Sequence, residues 1–174
     1  MNSIAFSNIA RFIVLLIAQI LIFNNIDLFG FINPFPYILF IILYPSENSK
    51  PIFYIASFML GLVVDMFENS GGIHAASSLI LAFFRPSVLK FSFGISYQYH
   101  NLNIIKKVTK DLFSSLEVMG YIVISVVIHH IVLFGLEFFR FNFVWEILYR
   151  TLLTTITTLL ACILILFLIK PSKK

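Results

Sequence analysis

Asp65, His74 and Arg85 lie within GLVVDMFENSGGIHAASSLILAFFRP, residues 61–86, together with Glu68, a Gly71-Gly72 pair and Pro86. A carboxylate in contact with an imidazole can do acid–base work. The same residues can equally form a substrate site or a structural lock. The other parts of a catalytic centre are missing from the sequence. There is no serine in a strained elbow and no His-Glu pair at metal spacing, and the lone Cys162 has no Cys/His pattern around it. The expectation is therefore a structural or docking role, with no catalytic residue, no metal and no cofactor.

The elements that must position these residues are membrane spans. The chain has 174 residues, a mean hydropathy of +0.99 and only 11% charged residues. Runs such as Phe12–Phe23, Ile52–Val64, Val118–Leu136 and Leu159–Ile169 are too many and too apolar for one aqueous core. The reading is an all-α polytopic membrane protein forming a single transmembrane domain over 1–174. Six spans are expected, at about 9–29, 35–46, 52–67, 72–92, 117–139 and 144–169. The first is read as an uncleaved span, because Phe23-Asn24-Asn25 offers no small-residue cleavage site. The second, entered through Pro34 and Pro36, reaches only about 18 Å at helical rise, short of the ~30 Å hydrocarbon layer.

Charge fixes the expected orientation. With both termini cytoplasmic, ten of the 12 bases fall on the cytoplasmic side: Arg11, Lys50, Arg85, Lys90, Lys106, Lys107, Lys110, Lys170, Lys173 and Lys174. Only Arg140 and Arg150 fall outside. This is the positive-inside pattern. It argues against nucleic acid as a partner, because the bases flank apolar spans instead of covering one face. Five spans without the second would put the base-rich 90–110 stretch on the side of Asp27, so six is preferred. The long connection at 93–116 holds Lys106, Lys107 and Lys110 between apolar residues at helical spacing. It reads either as a basic interfacial helix, with Tyr97 and Tyr99 in the headgroup layer, or as a lead-in to the fifth span.

Helical spacing then groups the polar residues. Ser57, Gly61 and Asp65 share one face of the third span, and Ser57 and Gly61 form a small-xxx-small pair that admits a close neighbour. His74, Ser78, Ala82 and Arg85 share one face of the fourth. A tight turn at Asn69–Gly72 brings Asp65 to His74, and the two are expected to form a hydrogen-bonded lock whose single losses do not add. Arg85 lies about 16 Å deeper and is expected to snorkel to the cytoplasmic headgroups. Pro86 is expected to kink the helix or end it early. His129 and His130, mid-span, read as a neutral hydrogen-bonded pair in preference to a proton relay, which would need carboxylates at the same depth. Thr151, Thr154, Thr155 and Thr158 mark the packed side of the sixth span, and Glu146 and Arg150, four apart, can pair at its outer end.

GLVVDMF, GGIHAA and LAFFRPSVL together resemble the signature of the MreD family, the rod-shape-determining membrane proteins of bacteria. RFIVLLIAQILIFNNIDLFGFINPFPYILFIILYP is similar to that family's opening. The likeness is strongest at 11–45 and 60–90, and Asp65, His74, Arg85 and Pro86 match in order and spacing. The resemblance implies a multi-pass protein of the bacterial inner membrane with six helices, related in fold to the substrate-binding subunits of energy-coupling-factor transporters. It implies no enzymatic activity. It implies MreC as partner and, mostly through MreC, the elongasome components RodA, a class B penicillin-binding protein and MreB. The alternative is a small-molecule-binding subunit of such a transporter. Those subunits usually carry an Ala-xxx-Ala docking motif in the first helix, where this chain has Ala10, Val14 and Ala18. A third class, an intramembrane enzyme, would need a polar, water-filled cavity around Asp65 and His74.

Overall fold

A computed structural model describes residues 2–45, 50–94, 104–138 and 144–169. Tyr97 and Tyr99, read as headgroup-layer residues, and Arg140, Lys170, Lys173 and Lys174, counted for sidedness, lie outside them. The described residues fold into helices α1 (Asn2–Leu21), α2 (Leu39–Leu43), α3 (Lys50–Glu68), α4 (Ile73–Phe93), α5 (Ile104–Asp111), α6 (Leu116–Phe138) and α7 (Val144–Ile169). Five of these (α1 with its extension to Asn25, α3, α4, α6 and α7) are long and apolar enough to cross a membrane. The protein is thus consistent with a multi-pass membrane protein.

The predicted second span is different in kind. Its α-helix has five residues, preceded by a 3-10 turn at Pro36–Ile38. Proline at the turn's first position suits its fixed φ and missing donor. Tyr37 to Leu43 are at most 2% exposed, so this segment touches protein on every side and forms a plug inside the bundle. Backbone with so little regular helix is tolerated at membrane depth only where protein surrounds it. Lipid tails are as apolar as leucine, so packing and hydrogen bonds, not the hydrophobic effect, hold the plug in place.

Around the plug α3 packs on α4, α4 on α6, and α6 on α7, while α1 leans on α3 and the plug. The α3–α4 hairpin is the tightest contact. A Cβ on Gly61 would fall 2.6 Å from Cα of Ala75 and against the His74 carbonyl, so glycine alone permits that approach. The hairpin turn needs left-handed backbone at Asn69, Gly71 and Gly72, with φ of 54°, 68° and 97°. Asparagine and glycine are the residues that adopt it at least cost. Ser57 is fully buried and returns its hydroxyl to the carbonyl of Phe53.

Several sequence expectations are corrected here. Pro86 does not end its helix, which continues to Phe93. The apolar face of α5 turns to the bundle instead of lipid: Ile104 and Val108 are at most 1% exposed. Lys107 of α5 pairs with Glu117 at 3.5 Å and lies over the Phe93 ring. Arg150 pairs with Glu137 at 3.4 Å, not with Glu146, and its guanidinium lies over the Phe138 ring. Many phenylalanines face outward, among them Phe83 and Phe91, but Phe35, Phe40, Phe53, Phe93 and Phe134 are core.

Candidate functional site

Asp65, in the last turn of α3, caps α4. Its Oδ1 accepts from the His74 amide at 2.9 Å and from the Ser70 hydroxyl at 2.5 Å, and its Oδ2 accepts from the Ala75 amide at 2.8 Å. These amides belong to the first turn of α4, where backbone donors have no intrahelical partner. Gly72, the residue before the helix, has no side chain to supply the cap, and a carboxylate from the preceding helix takes that role. The negative charge also lies at the positive end of the α4 dipole. The lock between Asp65 and His74 is therefore real in place but different in chemistry. It runs to the His74 backbone, not its imidazole.

The His74 ring points instead to the plug. The Tyr37 hydroxyl lies 3.1 Å from His74 Nδ1 and 2.8 Å from His129 Nε2. One phenolic proton cannot be given to both rings, so one imidazole donates to Tyr37 and the other accepts from it. His129 and His130 do not bond to each other; their rings meet edge to face, 5.4 Å between centroids. His130 bonds Thr155 Oγ1 through Nδ1 at 3.1 Å and Thr158 Oγ1 through Nε2 at 3.4 Å. Thr158 in turn accepts from the Phe35 amide at 3.0 Å. The threonine stripe of α7 is buried, as its packed face requires.

Both ends of the plug are closed by side chains from other elements. At its start, Gln19 Oε1 accepts from the Tyr37 amide at 3.3 Å, and Gln19 Nε2 donates to the Pro34 carbonyl at 3.1 Å and to Asn24 Oδ1 at 2.8 Å. At its finish Arg85 takes over. Its Nε donates to the Tyr121 hydroxyl at 3.0 Å and its Nη2 to the carbonyls of Ile42, at 3.3 Å, and Tyr44. Tyr121 donates to the same Ile42 carbonyl at 2.9 Å. The guanidinium lies over the Phe53 ring, 5.3 Å from its centroid. Arg85 is 4% exposed. Snorkelling is thus overturned: the cation stays inside because the unsatisfied carbonyls of a helix end are nearer and better partners than headgroups. Among the described residues no carboxylate pairs with it.

Gln19, Tyr37 and Tyr121 were not singled out by sequence reasoning. The signal was present: each is polar, within or beside an apolar run, and such residues in a bilayer are candidates by default. Pro34 and Pro36 flanking a run too short to span also mark an interrupted helix whose ends need partners.

Above this network, at the end of the bundle where α3 stops and α4 begins, a cavity of about 560 Å³ opens. The 27–35 loop, the Glu68–His74 turn, the end of α6 and Arg150 enclose it. Among the described residues Asp27, Glu68, Glu137 and Arg150 are its charged residues, Phe31, Phe35 and Phe134 its aromatic ones, and His74 is part of its lining. Asp65, behind the turn, is used up by the α4 cap. Among the described residues no group of histidine, cysteine or carboxylate side chains is arranged to hold a metal ion. Comparison with known proteins finds no matching protein family, no matching curated protein and no matching solved structure.

Proposed function

We propose that the chain is a non-catalytic membrane scaffold of the MreD type, which binds an MreC-like single-span protein and helps organise lateral peptidoglycan synthesis and cell shape. The observation that carries this reading is the use made of Asp65, His74 and Arg85. Each is buried, and each is engaged in fastening one helix to another or in closing an end of the plug. Residues so engaged hold a shape for something else to recognise. The resemblance over 11–45 and 60–90 supplies what that something is. Affinity capture in mild detergent should recover an MreC-like protein. Recovery of only an ATPase and a transmembrane coupling subunit would replace this reading with the transporter one, which the cavity at the α3–α4 end favours.

The fold is proposed to be the six-pass arrangement of energy-coupling-factor substrate-binding subunits, with the plug as its second pass and both termini in the cytoplasm of the inner membrane. The split of the bases supports it. A reporter active only in the periplasm should be silent at the C-terminus and active when inserted after Gly71. Periplasmic activity at the C-terminus would reverse the orientation.

A further inference from the structure

We infer that the cavity at the α3–α4 end is a binding site for a small organic cation, an amine or guanidine on an apolar body. Its volume of about 560 Å³ falls in the range of small-molecule pockets, ~300–1,000 Å³. Four observations assign the ligand's chemistry. Among the described residues three carboxylates face one guanidinium, and that guanidinium is already paired: Arg150 holds Glu137 at 3.4 Å. Among the described residues Asp27 and Glu68 are left without a compensating cation. Glu68 Oε1 is enclosed by protein and has no hydrogen-bond partner among the described residues, and an ammonium or guanidinium would supply one as a charge-assisted bond. His74 is 97% buried (3% exposed) and lines the cavity; its Nδ1 is occupied by Tyr37, so its Nε2 is the ring nitrogen left for a ligand. Phe31 and Phe134 give the body of the ligand apolar contact.

The site is independent of the scaffold role. Partner capture tests one and ligand titration the other, and failure of either leaves the other standing. The test uses the full chain purified in mild detergent, with phenethylamine and agmatine as probes and 2-phenylethanol, phenylacetate and sodium chloride at matched concentration as controls. The two amines should raise the unfolding midpoint saturably, and the controls should not. In Glu68→Gln the half-saturating amine concentration should rise about tenfold, and Asp27→Asn should raise it as well, serving as the reporter if Glu68→Gln does not fold. Equal shifts from 2-phenylethanol or sodium chloride, no shift from either amine, or undiminished binding in the folded variants would overturn the inference. Saturation by an oligolysine peptide with no response to the free amines would also overturn it, in favour of a protein-docking surface.

Discussion

Asp65→Ala will unfasten the α3–α4 hairpin and cost about 3 kcal/mol of stability, as charge-assisted bonds at a helix start contribute roughly 1–2 kcal/mol each and are not fully additive. Three donors lose their acceptor: the amides of His74 and Ala75 and the Ser70 hydroxyl. The two amides are buried and cannot turn to water. Asp65→Asn keeps one acceptor oxygen but loses the charge and the second acceptor, so about half the loss is expected. His74→Ala retains the amide that Asp65 holds and gives up only the bond to Tyr37, a change of about 1 kcal/mol plus lost packing. The double change Asp65→Ala, His74→Ala should therefore be close to additive, the reverse of what a carboxylate–imidazole lock requires. Unfolding midpoints in detergent measure all four. A neutral Asp65→Ala, or a coupling energy as large as the Asp65 effect itself, would contradict the capping role.

Arg85→Leu is expected to be comparably severe, about 3 kcal/mol, for a different reason. It strands the carbonyl of Tyr44, weakens the hold on that of Ile42, and takes a partner from the Tyr121 hydroxyl, all in a region closed to water. Arg85→Lys should recover less than half of this. One ammonium cannot reproduce a planar fork that reaches the hydroxyl through Nε and two carbonyls through Nη2. Tyr121→Phe should cost less than Arg85→Leu, because Arg85 still holds the Ile42 carbonyl and only its Nε loses an acceptor. Hydrogen–deuterium exchange gives a local readout. Amides of residues 36–45 should exchange faster in Arg85→Leu while the middle of α6 keeps its protection. Uniform loss of protection along the chain would point to general unfolding, and unchanged exchange at 36–45 would remove Arg85 from this role.

The long apolar runs were legible in the sequence because a helix that crosses lipid must be apolar along its whole length. The α3–α4 face was legible because Ser57, Gly61 and Asp65 repeat at four and the turn is written in Asn69, Gly71 and Gly72. The direction of side chains was not. Spacing brings Asp65 near residue 74, but it cannot say whether the acceptor finds a ring or an amide. Here the bare first turn of α4 decided, since Gly72 offers it nothing. Arg85 read as a snorkelling residue because sequence distance places it near the membrane's edge; the competing partner, the end of the plug, is more than 40 positions away in sequence. The same holds for Tyr37 with His129 and for Phe35 with Thr158. Partners so distant leave no periodic trace along the chain.

The plug also sets an order in time. Residues 35–43 leave the ribosome early, yet they are too short to be taken up as a span, and apart from Gln19 the groups that satisfy them arrive at positions 74, 85, 121, 129 and 158. Until α7 has been made, the Phe35 amide lacks the hydroxyl that accepts from it. Five helices can be threaded into the bilayer one after another as synthesis proceeds. The plug can only be enclosed once they have gathered, so the segment made second is the one seated last. Insertion and completion are thus separate events for this chain. A protein cut short before α7 is missing one helix by length and two by structure.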